Sequence, residues 1–144
     1  PGMIRHVMAE DRPFWLRLDR HLPEEAFARK VRDREGYVLL ENSRPAGLLR
    51  WNLFWDEIPF CTLLAVAEDR RGRGLGRALL ARWESDMAAR GHRLVMTSTR
   101  ADERAQGFYR RLGYRDAGCL LLREAGYAQP AELFFTKALA KKEK

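Results

Sequence analysis

The chain reads as a mixed α/β protein built around one central sheet, and three features carry that reading. Residues 37–67 hold three β-rich runs parted by turn clusters. From Leu75 to Met87 apolar residues recur every four positions, close to the period of an amphipathic helix. Beyond Gly91 the β-rich runs resume around one short helical stretch, with no composition shift that would divide the chain.

Met3 to Met8 alternates apolar and polar residues and predicts a first strand, after which Phe14, Trp15 and Leu18 predict a helix over Glu10 to Asp19. Pro23 suits the first turn of a second helix, with Glu24 and Glu25 at the positive end of its dipole. Phe27 and Val31 share one face of it, and Gly36 supplies its stop. Tyr37 to Glu41 is a strand, Asn42-Ser43-Arg44-Pro45 a turn cluster, and Gly47 to Trp55 the hairpin partner. A turn at Asp56 to Pro59 leads into Phe60 to Ala67, the last of three consecutive antiparallel strands. In the long helix, Arg73 to Arg90, the stripe Leu75, Leu79, Trp83 and Met87 is filled out by Ala78, and Gly91 ends it. Leu94 to Thr99 predicts a strand, Asp102 a cap for a helix running to Leu112, and Gly113 its stop. Tyr114 to Leu122 and Leu133 to Leu139 predict two last strands, and Lys141 to Lys144 a solvated basic end.

At 144 residues the chain has the size of a single domain. A chain of this length buries about two-thirds of its unfolded surface, so a core needs no disulfide or metal staple. Its 46% hydrophobic and 33% charged residues exclude the low-hydrophobicity class of disordered chains. No window reaches the roughly 18–20 apolar residues of a membrane span. Cys61 and Cys119 lie far apart, with neither a CxxC partner nor a His at ligand spacing, so no metal site is expected and both read as buried small hydrophobes. Pro1 to Met8 lacks the apolar core of a signal peptide, which makes a cytoplasmic setting the default expectation, and Pro1 and Gly2 suit either native residues or ones left by processing or cloning. The formal charge of +7 favours polyanions in general without choosing among nucleic acid, phosphorylated cofactors and acidic membranes.

The most informative segment is Leu64-Ala65-Val66 with Arg71-Gly72-Arg73-Gly74-Leu75-Gly76-Arg77, a strand, then a glycine-rich turn that opens the long helix. Glycines admit a ligand close to the backbone, and the first N–H groups of a helix are unpaired donors at its positive end, so such a junction suits a pyrophosphate. Two phosphate loops fail by inspection: the dinucleotide fingerprint needs Gly where Arg77 stands, and no Gly-Lys-Ser or Gly-Lys-Thr follows. Taken alone, the glycines also suit a merely tight strand-to-helix connection.

Arg71, Gly74 and Gly76 match the signature of the GNAT superfamily of acetyl-coenzyme A dependent N-acyltransferases, which is Arg or Gln, two residues, Gly, one residue, then Gly or Ala. Tyr109 follows 33 residues after Gly76, inside Phe108-Tyr109-Arg110-Arg111-Leu112-Gly113-Tyr114, which resembles that family's helix ending in Phe-Tyr, three residues, Gly-aromatic. The resemblance covers essentially the whole chain. It implies a mostly antiparallel sheet of about seven strands flanked by helices, with a cofactor cleft between two splayed parallel strands.

The same resemblance implies acetyl-coenzyme A as cofactor and transfer of its acetyl group to a primary amine. Leu64, Ala65 and Val66 would offer backbone groups to the pantetheine arm and the thioester carbonyl. Residues Arg71 to Arg77 would hold the pyrophosphate by backbone N–H, with Arg71, Arg73 and Arg77 adding charge, although Arg73 and Arg77 also suit a solvated helix face. Gly107 inside a short helix costs about 1 kcal/mol against Ala, which in this family implies the cofactor passing close by. Tyr109 is the candidate general acid for the departing thiolate, since phenols ordinarily titrate near 10; its other reading is a core aromatic pair with Phe108. A carboxylate base found in some members aligns with Thr97 here, and Asp102 stands where members often have Asn.

For the acceptor, Trp51, Phe54, Trp55, Asp56 and Glu57 set aromatics beside acids, a combination that suits a cationic amine, with Glu57 the nearest candidate base. The competing reading has the aromatics filling the core while the acids solvate a turn. The partners expected are a small-molecule or peptide amine, with no membrane, nucleic acid the weaker alternative and a homodimer left open. A domain of this fold that binds acyl-coenzyme A or nucleic acid without turnover is the alternative function.

Overall fold

The computed structural model describes residues 2–140; Pro1 and the basic end expected over 141–144 lie outside the described residues. Seven strands and four helices follow one another as β1 (Gly2–His6), α1 (Arg12–Leu18), α2 (Glu24–Asp33), β2 (Gly36–Glu41), β3 (Arg44–Phe54), β4 (Ile58–Val66), α3 (Leu75–Ala89), β5 (Leu94–Arg100), α4 (Ala105–Arg111), β6 (Arg115–Leu120) and β7 (Glu132–Ala138). They form one mostly antiparallel sheet in the order β1-β2-β3-β4-β5-β7-β6 with helices at its flanks. Among the described residues no helix is long and apolar enough to cross a membrane. By their contacts the residues group into two compact units, one up to Asn52 together with Cys61–Asp86, the other Leu53–Phe60 together with the residues from Met87 on.

In the first unit, Val7, Phe14, Trp15, Phe27, Val38 and Leu48 make the core of α1, α2 and the strands beneath them. The polar ends of that core are paired. Asp19 is 7% exposed and takes the Trp15 Nε1–H at 3.0 Å and the Arg50 Nε–H at 2.8 Å. Asp11 accepts both arms of Arg5 at 2.7 and 2.8 Å and the Met8 N–H at 2.7 Å. Tyr37 donates to Asp86 on α3 at 2.7 Å, and Arg82 of α3 reaches the Ile4 carbonyl at 2.9 Å, which fixes the helix against β1 and β2.

Several local expectations are corrected by packing. The stop of α2 is Arg34, itself left-handed at φ 57°, not Gly36. Gly36 opens β2 because a Cβ there would lie 2.9 Å from the Trp15 ring and 3.0 Å from Val7. In α3 the stripe is completed by buried Leu80, and Ala78 is exposed. A four-residue period overshoots the helical turn by about 40° per step, so the stripe drifts toward Leu80 and away from Ala78. Asp102 caps nothing: it forks onto Arg100 at 2.8 and 3.1 Å, and α4 starts three positions later. The β3–β4 turn falls at Trp55 to Glu57, starting one residue and ending two residues earlier than expected. Cys61 is buried, whereas Cys119 is exposed because β6 is the last strand of the sheet and all six of its residues face solvent.

In the second unit, β7 pairs antiparallel with both β5 and β6, and Phe135 at its centre is fully buried. Tyr109, Tyr114 and Phe135 bring three rings together at centroid separations of 5.5 and 6.0 Å, with Tyr109 the shared member.

Candidate active site

The glycine-rich turn lies wholly in the first unit. β4 carries Leu64, Ala65 and Val66 to its end, where the Ala67 N–H donates to the Ala46 carbonyl at 2.8 Å and so pins the strand to the start of β3. A single 3-10 turn over Glu68–Arg70 redirects the chain, Arg71 is extended, and Gly72 and Gly74 both stand in the left-handed region at φ 80° and 78°. Residues with a Cβ rarely adopt that conformation, so the turn needs these glycines for their backbone. A Cβ built on either would meet no atom within 4 Å. The surface above both is therefore open to a ligand.

Immediately after, the Ala78 N–H donates to the Gly74 carbonyl at 3.0 Å as the hydrogen-bond ladder of α3 begins. The N–H groups of Leu75, Gly76 and Arg77 precede that ladder, at the positive end of a 15-residue helix. These features fit a pyrophosphate: donors of fixed direction, no Cβ in the approach, and cations at the rim.

The arginines are not equivalent. Arg71 donates its Nε–H to the Val66 carbonyl at 3.2 Å, closing the turn onto the end of β4. Arg70 and Arg73 converge on one Glu41 oxygen at 2.6 and 2.9 Å, so much of the Arg73 charge is already neutralised. Arg77 is exposed on the first turn of α3 and makes no ion pair or hydrogen bond among the described residues. The sequence singled out Arg71, Arg73 and Arg77 but neither Arg70 nor Glu41, which lies 32 positions before Arg73.

Tyr109 belongs to the second unit. It is 5% exposed, and its ring lies 5.3 Å from Phe108 as well as packing on Tyr114 and Phe135. Its carbonyl accepts the N–H of both Leu112 and Tyr114, which ends α4 and fixes the aromatic corner. The nearest atom to a Cβ built on Gly107 is the flexible tip of Arg111 at 3.3 Å. Thr97, at the position aligned with a carboxylate base, is buried opposite Phe135 in the β5–β7 register. Asp102 is exposed, and its Arg100 partner holds its carboxyl below the usual carboxylate range.

The acceptor candidates separate by environment. Trp51 is 2% exposed in the first unit, where its N–H donates to the Glu35 carbonyl at 3.1 Å and its own carbonyl accepts Lys30 Nζ at 2.7 Å. Trp55, in the second unit, is 77% exposed, its ring 4.7 Å from Phe54. Asp56 and Glu57 follow it in the exposed turn, with the Glu57 N–H on the Phe54 carbonyl at 3.0 Å. Sequence reading did not find that Phe54, Trp55 and Ile58 share a groove with Met96, Leu120 and Phe134. The alternation of Leu94, Met96 and Ser98 and of Phe134 and Thr136 was its only local trace.

Comparison with known proteins agrees with this fold. Residues 3–114 match the sequence profile of the Acetyltransferase (GNAT) family. No curated protein matches the chain. Among solved structures, the ribosomal-protein-S18-alanine N-acetyltransferase of Escherichia coli is 21% identical with a TM-score of 0.81, over 100% of this chain and 97% of that one. Ard1 of Thermoplasma volcanium is 18% identical with a TM-score of 0.84, over 96% and 98%. A GNAT family acetyltransferase of Elizabethkingia anophelis, with acetyl-CoA bound, is 18% identical with a TM-score of 0.74, over 96% and 98%.

Proposed function

Because the chain belongs to the GNAT acetyltransferase family, we propose that it transfers the acetyl group of acetyl-coenzyme A to a primary amine by direct attack in a ternary complex. The observation that carries this reading is the turn from Arg71 to Gly76, where two left-handed glycines, open space above them and the leading N–H groups of α3 converge. Backbone N–H groups of residues 72–77 hold the pyrophosphate, with the Arg77 guanidinium as the strongest added charge. Backbone groups of Leu64, Ala65 and Val66 hold the pantetheine arm and orient the thioester carbonyl. The bound cofactor supplies an activated acyl carbon and a thiolate leaving group.

For each turnover the amine must give up one proton, and the departing sulfur must gain one. Tyr109 donates from its Oη to the sulfur, and its packing among Phe108, Tyr114 and Phe135 fixes the ring that carries it. Glu57, an exposed carboxylate, receives the amine's proton directly or through water. Asp56 and Trp55 attract the acceptor as its ammonium form, which releases one further proton to water before its nitrogen attacks; the proton then taken by Glu57 makes good the one that Tyr109 gives the sulfur.

The test is release of free coenzyme A thiol from acetyl-coenzyme A against a panel of small amines, lysine-containing peptides and peptides with free N-termini. Amine-dependent thiol release with formation of the N-acetyl product is expected. Coenzyme A binding without release on any amine would leave a cofactor-binding module in place of an enzyme.

A further inference from the structure

A groove of about 580 Å³ lies within the second unit, walled by Phe54, Trp55, Ile58, Met96, Leu120 and Phe134. None of its lining side chains is charged. Asp56 and Glu57 carry the chain from Trp55 to Ile58, two of the wall residues, while Arg93, Asp116 and Lys137 adjoin other lining residues. A recess of this volume, open to solvent on one side, falls in the size range of small-molecule sites, which combine a mainly apolar lining with a few polar groups.

The turn that forms its rim has an unusual composition. Trp55 and Asp56 are both left-handed, at φ 57° and 56°. They are the two central residues of the turn closed by the Glu57 N–H on the Phe54 carbonyl, and Asn-Gly serves best where both central positions are left-handed. A bulky Trp is a poor occupant of that backbone. Its ring contributes little to a core in return, since it remains 77% exposed. A turn that accepts strain to hold an aromatic face over an apolar groove has the form of a ligand wall.

We propose that this groove is the acceptor subsite, and that it selects a primary ammonium carried on an apolar body of aromatic size. Resting on the acetyl-transfer reading above, it seats that body against Phe134 and Met96 beneath the Trp55 ring. The ammonium then lies at the rim formed by Asp56 and Glu57, where two carboxylates and the face of an indole favour a cation. A neutral or anionic body of the same shape lacks that partner, and a bare small ammonium leaves the groove unfilled.

The experiment titrates ¹⁵N-labelled protein with 2-phenylethylammonium, with 2-phenylethanol as the uncharged body and with ethylammonium as the charge alone. Amide shifts are expected at Trp55, Gly118, Leu120 and Phe134, with an affinity at least tenfold above either control. Trp55→Asn keeps a residue that tolerates the left-handed turn, so the variant should fold with an unchanged melting temperature or a higher one while losing about tenfold in affinity. Asp56→Asn combined with Glu57→Gln should lose about tenfold for the ammonium and nothing for the alcohol. In acetyl transfer, kcat/KM for 2-phenylethylamine should exceed that for ethylamine by tenfold or more, and Trp55→Asn should erase the difference. Equal kcat/KM for the two amines, or shifts that avoid the groove, overturn the subsite while leaving acetyl transfer intact. Shifts that depend on protein concentration instead of ligand place a second copy in the groove and overturn it as well. Groove binding in a protein that neither binds coenzyme A nor releases its thiol overturns the acceptor role together with the transfer reading.

Discussion

At Gly74 the φ of 78° and the open space above the Cα make one substitution decisive. Gly74→Asp forces a Cβ into a left-handed position and sets a carboxylate at the proposed pyrophosphate site. Coenzyme A affinity, measured by calorimetry on a folded variant, should fall below detection. The arginines nearby predict an order. Arg73 is already spent on Glu41 at 2.9 Å, whereas Arg77 has no partner among the described residues, so Arg77→Ala should weaken coenzyme A binding several-fold more than Arg73→Ala. Equal losses would mean that Glu41 releases Arg73 when the cofactor binds. Tyr109→Phe keeps every ring contact and removes only the hydroxyl. It should preserve cofactor affinity and lower kcat by roughly ten- to a thousandfold, the loss expected for a general acid. Wild-type kcat at saturating amine would give the thiolate its proton from water.

Among the elements, the corner between β1 and α1 depends on one charge. Burial alone would raise the Asp11 carboxyl, but the paired Arg5 guanidinium and the Met8 N–H outweigh it and hold the group below the usual carboxylate range. A carboxyl with a depressed folded value adds stability that is fully present above its unfolded value, near about 3.9, and is lost as pH falls through the lower folded value. Wild type should therefore melt above Asp11→Asn by a constant margin from neutral pH down to about pH 4, and the margin should close below that. Melting curves at pH 7, 5, 4 and 3 check it, and a margin independent of pH would assign the corner's stability to packing by Phe14 and Trp15. The α3 element shows how a sequence period becomes a site: its stripe of Leu75, Leu79, Leu80 and Trp83 fixes the helix, and the helix then fixes the direction of the N–H groups at residues 75–77.

At the scale of the whole molecule, 27 basic residues against 20 acidic ones set a positive field over a protein whose proposed cofactor is polyanionic. The Debye length shrinks from about 10 Å at 0.1 M salt to about 3 Å at 1 M, so the long-range part of that attraction is screened while hydrogen bonds from the turn persist. Coenzyme A affinity should thus fall with added salt and level off instead of vanishing, as read from titrations between 0.05 and 1 M sodium chloride. A salt-independent affinity would assign all of the binding to local donors. The same field opposes a cationic acceptor, which leaves its attraction to the local groups proposed for it, the carboxylates of Asp56 and Glu57 and the Trp55 ring.

The helix α3, its glycine turn and the short helix that stops at Gly113 were legible in the residues because each is encoded by near neighbours: an apolar period, glycines where the backbone turns left-handed, a stop with φ 91°; Tyr109 itself was picked out by resemblance. The strand order was open to resemblance and not to pattern, since period two says which face is buried but not which strand lies alongside. What folding alone settled was the environment of each side chain. Trp51 and Trp55 stand four positions apart in one aromatic run, yet one is 2% exposed and the other 77%, because β3 ends between them and the chain turns into solvent. Glu41 meets Arg73 across 32 positions, Gly36 yields to the Trp15 ring, and Cys119 is exposed because no strand follows β6 in the sheet. Burial and charge pairing are properties of neighbours in space, and those neighbours exist only after distant segments have packed.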